Sequence, residues 1–166
     1  MHIEDLFEDL EAQFAASSTA QSKTNFKAGS RLVEAQVANT VVRKLIAPII
    51  GQDFVAGLDP VSPVWYLFPF ACIRKLRFWE SDESDLPEVR NFEVCLEQFL
   101  RSMPMPCAIR WCTTQDAQHL SIGKLHSLAS GLMFIHQARA AVPIAVPVAA
   151  LEMLVIESVD NLDGSF

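Results

Sequence analysis

The 166-residue chain is 51% hydrophobic and 20% charged, a balance that folds into a globule instead of staying disordered. At this length roughly two thirds of the unfolded surface is buried, so a core needs no disulfide or metal staple. A formal charge of −7 and a pI near 5.0 work against a general nucleic-acid binder and against an anionic membrane surface, both of which call for surplus cations.

In chain order, the acidic start Met1-His2-Ile3-Glu4-Asp5 lacks the basic region and apolar stretch of a secretory leader. Residues 1–16 predict an amphipathic helix: Ile3, Leu6, Phe7, Leu10 and Phe14 recur at the helical interval and acidic residues fill the other face. That apolar stripe either docks on its own domain or forms a partner helix face, against a second copy or another protein. The Ser-, Thr- and Gln-rich stretch up to residue 29 reads as a linker.

Residues 30–78 read as a first small β-barrel-like half. Val33, Ala35 and Val37 alternate with polar residues, and Val41 to Ile46 is β-branched. Phe54-Val55-Ala56, Val64-Trp65-Tyr66-Leu67-Phe68 and Arg74-Lys75-Leu76-Arg77-Phe78 follow, with turns between them. Residues 79–106 combine an acidic linker with a helix capped by Asp85, carrying the stripe Val89, Phe92, Leu96, Phe99, Leu100 and Met103 and stopped by Pro104. Residues 107–157 read as a second β half, with a turn at Ser130-Gly131, and 158–166 as a tail. The expected fold is therefore mostly β with helices (α+β): two repeated small barrel-like halves, an amphipathic helix between them and another in front.

The repeat is visible in the residues. Val64-Trp-Tyr-Leu-Phe-Pro69-Phe-Ala71 lies over Val142-Pro-Ile-Ala-Val-Pro147-Val-Ala149 at an offset of 78 without a gap. Both read as a strand, a tight turn at Pro-x-Ala and a final strand, which is one supersecondary unit written twice.

These residues resemble a family of uncharacterised actinobacterial proteins with an N-terminal helix, two β halves and a helix between them. The matching segments are Leu6-Phe7-Glu8-Asp9-Leu10-Glu11, Gly51-Gln52-Asp53-Phe54-Val55, Phe68-Pro69-Phe70-Ala71 and Val146-Pro147-Val148-Ala149-Ala150-Leu151. Members sometimes carry an automatic label of Fis-type transcriptional regulator, but a C-terminal helix-turn-helix is missing here, where two β runs stand instead. The family's second-half Asp-Gly turn is replaced by Gln115-Asp116-Ala117. The β halves also look like Sm-type small barrels, a likeness of fold that carries no function.

Catalytic chemistry finds no foothold. The six glycines form no phosphate-cradling motif, and no Gly-x-Ser-x-Gly occurs. Cys72, Cys95, Cys107 and Cys112 contain no Cys-x-x-Cys pair, and His119, His126 and His136 match no ligand spacing. No catalytic residue, metal or cofactor is therefore expected, and the chain is read as a non-enzymatic protein. The longest apolar run, Ala140 to Leu151, is too short to span a bilayer and holds Pro143 and Pro147, so a cytoplasmic location off the membrane is expected.

Charge is unevenly spread: residues 1–29 carry −3, 30–78 carry +3, 79–106 carry −5 and 107–166 carry −2. Arg43, Lys44, Arg74, Lys75 and Arg77, with Trp65, Tyr66 and Trp79 nearby, make the first β half a candidate basic and aromatic surface. Two functions follow as expectations. One is an interaction or scaffold protein, with a protein partner or self-association through strand edges and the 1–16 stripe. The other is a nucleic-acid-associated regulator using the basic half, which the net charge disfavours.

Overall fold

The structure, a computed structural model, describes residues 30–37, 41–62, 64–80 and 86–157. Alternating burial in β1 (Ser30–Val37) shows why these runs become strands: Val33, Ala35 and Val37 point into the core while Glu34 and Gln36 stay half-exposed. β2 (Val41–Ile50), β3 (Phe54–Leu58), β4 (Val64–Pro69) and β5 (Ile73–Glu80) complete a first run of strands. After the short β6 (Arg90–Asn91) and helix α1 (Leu96–Arg101) come β7 (Cys107–Thr113), β8 (Asp116–Ala129), β9 (Leu132–His136), β10 (Ile144–Pro147) and β11 (Leu151–Glu157).

Among the described residues all eleven strands belong to one sheet, in the order β10-β9-β8-β7-β11-β4-β3-β2-β1-β5, with β6 paired to β2. Each group of five thus has its strands in the order fourth, third, second, first, fifth. A three-residue 3-10 turn joins the fourth strand to the fifth in both, Phe70–Cys72 and Val148–Ala150. The likeness extends to irregularities. The β2–β3 ladder slips between Ile46 and Ile49, where Ala47 has φ 48, and the β8–β9 ladder slips between Leu125 and Ser127. From the second strand onward, equivalent residues stand 78 apart. The first strands are equivalent at 76, since Val33 and Ile109 hold the same place opposite Phe78 and Ile156.

One pair of positions is filled in opposite ways in the two groups. A Cβ at Gly57 would stand 2.5 Å from the Leu45 Cβ, so glycine on β3 makes room for leucine on β2. At the equivalent site a Cβ at Gly123 on β8 would stand 2.6 Å from Ile135 Cγ2 on β9. The large residue has changed strand and the glycine has changed with it.

The expected pair of barrel-like halves joined by a helix does not form. The sheet stays open and runs from one group into the other, because β4 pairs with β11, Leu67 opposite Leu154 and Trp65 opposite Ile156. The physical reason is burial on both faces. Val64 to Phe68 and Leu151 to Ile156 are buried throughout, so either strand left at an edge would hold apolar surface in water. Joining them merges the cores: one cluster holds Phe54, Trp65 and Leu67 together with Ile109, Leu125 and Leu154.

The helix expected between Asp85 and Pro104 is only six residues long, Leu96–Arg101. Upstream of it Phe92, Val94 and Leu96 are buried, with exposed Glu93 and half-buried Cys95 between, a period of two that the stripe at three and four overlooks. The backbone there is spent on the sheet: Val89 N–H donates to Ser30 O, Phe92 N–H to Ile50 O, and Val94 O accepts from Gln52 N–H. The Arg31 guanidinium donates to Leu86 O and pairs with Glu88 at 3.3 Å, tying this segment to β1. The N-terminal helix expected to carry Ile3, Leu6, Phe7, Leu10 and Phe14 lies outside the described residues. Among the described residues no helix is long and apolar enough to cross a membrane.

Candidate functional site: an open basic edge

β5 ends the sheet on one side. It pairs with β1 from Ser30 opposite Glu80 to Val37 opposite Ile73, and no described strand lies along its other side. Backbone directions follow from two bonds, Asp59 N–H to Val64 O and Phe70 N–H to Asp53 O. They turn the even-numbered residues of β4 toward β3, so Trp65 and Leu67 offer their N–H and C=O to Ile156 and Leu154. Leu76, equivalent to Leu154, likewise offers its own outward, where no described strand lies.

Register also decides which cations meet. Glu34 sits opposite Lys44 on β2 and opposite Arg77 on β5, and Gln36 opposite Lys75, so Lys44, Arg77 and Lys75 share one face with Glu34 among them. Lys44, Lys75 and Arg77 are exposed. Arg43 occupies the opposite face, with its guanidinium carbon 4.9 Å from the Tyr66 ring centroid. Arg74 falls at the slip between Gln36 and Val37, exposed, and its charge is felt by Glu152. Trp65 and Tyr66 are only 4% and 7% exposed and belong to the core, so of the aromatic residues close in sequence only half-buried Trp79 shares the face of Arg77. Glu34 was not among the sequence candidates. Its position could be read only from pairing, though the alternation of Lys75 and Arg77 with Leu76 and Phe78 was already a strand signal.

Comparison of the two groups shows what is unusual about this edge. Val155, Met153 and Cys112, the equivalents of Arg77, Lys75 and Gln36, pack in the apolar cluster formed with Val64, Tyr66 and Phe68. The first group carries charge and amide where the second buries apolar side chains against its neighbour. At the far end of the sheet β10 is the last of the described strands. Val148 N–H donates to Gly131 O, which turns Ile144 and Val146 toward β9 and leaves Ala145 facing out between Pro143 and Pro147. Neither proline has an N–H to offer a further strand.

The remaining sequence candidates stay apart from this edge. Cys107 is fully buried, which pushes its thiol up to about 11, and burial raises the Cys72 and Cys112 thiols as well. His119 Nδ1 lies 3.4 Å from Asp116 Oδ1 on the exposed start of β8. The His126 and His136 rings meet edge to face with centroids 4.6 Å apart, beside an open cavity of about 610 Å³ lined by Gly123, Lys124, His136 and Arg139. Among the described residues no three His, Cys, Asp or Glu side chains come together as a metal requires. No family model, curated protein or solved structure matches the chain.

Proposed function

We propose that the protein is a non-enzymatic interaction module that takes a partner strand along β5. The observation that carries this reading is the pairing state of two equivalent strands. Among the described residues β11 has a strand on both sides, whereas β5 has one, and its outer side presents the Leu76 backbone. Main-chain pairing of that kind supplies affinity without a preformed pocket. The nucleic-acid reading loses ground because single-strand sites stack bases on exposed aromatic rings, and Trp65 and Tyr66 are buried.

The test is a pull-down from the cells that make the protein, with and without nuclease, using wild type and Leu76→Pro. Proline removes an outward N–H and leaves the β1 ladder its donors, so the variant should keep its circular dichroism and lose the partner. Arg74→Glu with Arg77→Glu provides a second variant that spares the backbone. Capture unaffected by either variant, or abolished by nuclease, would reject this function.

A further inference from the structure

We infer that the cavity beside the end of β9 binds a medium-chain aliphatic carboxylate, with its headgroup on Arg139 and His136 and its chain on Ile122, Ala138 and Ala140. The site belongs to the second group of strands and does not depend on the β5 edge. β9 ends at His136, opposite Lys124 on β8, and the chain then turns over residues 137–140. On β8 Ile122 and Lys124 alternate with buried Gly123 and Leu125, so they share the outward face with His136. Between that face and the turn lies the cavity of about 610 Å³. The His126 ring meets the His136 ring edge to face and holds it beside the cavity.

Three observations select that ligand. Ala140 N–H donates to Gln137 O at 3.2 Å, and Arg139 has φ 68 at the third position of this turn, a place that favours glycine or asparagine. An arginine held there at a backbone cost points to a use for its side chain. Its guanidinium forms no ion pair among the described residues, and no Asp or Glu occurs between Asp116 and Glu152 to meet it. A carboxylate matches both the single charge and the paired donors of that group. The second observation is apolar surface: Ile122 is 60% exposed and, with Ala138 and Ala140, gives the cavity walls that a bound alkyl chain would cover. The third is that no Phe, Tyr or Trp lines the cavity, so nothing there offers the stacking face a nucleobase uses.

The probe is octanoate, titrated into the isotopically labelled full chain. Amide shifts should centre on residues 122–124 and 136–140, and octanoate should bind about tenfold or more tightly than acetate, which lacks the chain. Arg139→Gly removes the guanidinium and relaxes the turn, so the variant should keep or raise the wild-type thermal midpoint while its affinity falls about tenfold or more. Ile122→Ser should weaken octanoate and leave acetate unchanged. Octanol, which keeps the chain without the charge, should bind more weakly than octanoate by about tenfold or more. Equal binding of octanol and octanoate, tighter binding of inorganic phosphate, or no shifts at millimolar octanoate would overturn the proposal. So would an Arg139→Gly variant that melts early or binds as tightly as wild type. Cosedimentation with phosphatidylglycerol vesicles, competed by octanoate, would mark a membrane contact and overturn it too. None of these outcomes bears on partner capture at β5 or its loss with Leu76→Pro, so the two readings fail separately.

Discussion

The Asp53 carboxylate accepts the Leu96 backbone N–H at 2.7 Å, so a turn between β2 and β3 caps a helix that begins 43 residues later. Gln98 Oε1 accepts the Cys95 N–H at 3.0 Å in the same first turn. A six-residue helix has little stability of its own, and an acceptor at its N-terminus offsets donors that would otherwise be unmet.

Asp53→Ala should therefore cost about 1 kcal/mol, the usual value of a lost N-terminal cap. Asp53→Asn, which keeps an acceptor, should cost much less. Urea midpoints of the two variants decide whether the contact is energetic or incidental.

Core continuity across the β4–β11 junction predicts one cooperative transition. Leu154→Ala removes a fully buried side chain and should cost roughly 2–5 kcal/mol. Tryptophan fluorescence and far-ultraviolet circular dichroism should still report a single coincident unfolding curve. Two separated transitions would mean that the two strand groups fold independently.

Glu152 is 4% exposed, and its Oε2 has no hydrogen-bond partner. Burial raises its pKa, against a smaller opposing influence of Arg74. A carboxyl whose folded pKa lies above its unfolded one binds more protons when folded. Its stabilising influence is present at low pH and is lost as pH rises through the folded value. Glu152→Gln should thus match wild type in acid and become relatively more stable toward neutral pH. Denaturation midpoints across that range test the sign.

Much of this architecture can be read from residues. The strand runs between 33 and 78 and between 109 and 156 sit where alternation and β-branching put them, and both Pro-x-Ala turns become 3-10 turns. Ser130 and Gly131 have φ 53 and 75, the positive pair a two-residue hairpin needs. What escaped was pairing between distant strands. Nothing local in Val64 to Phe68 says that its second neighbour is Leu154 to Glu157, and that one ladder turns two units into a single sheet. Which cations share a face escaped for a related reason. Arg43 and Lys44 are adjacent in the chain and therefore on opposite faces of a strand, a consequence of period two that a segment's net charge conceals.

Gly57→Ala should cost roughly 1–3 kcal/mol by crowding Leu45. Combined with Leu45→Ala it should be partly relieved, so that the double variant is less damaged than the two single losses added together, by about 0.5–3 kcal/mol. A thermodynamic cycle on these two positions measures the coupling, and simple additivity would deny the steric account.

That exchanged glycine also bears on how a chain with two look-alike halves avoids tangling. During folding β2 has a rival mate in β9, and β8 has one in β3. The wrong match would drive Leu45 into Ile135, and its companion would set Gly123 against Gly57 with a hole between them. Repetitive chains are prone to such crossed assembly. Here each hairpin holds a lock that only its own partner strand can turn.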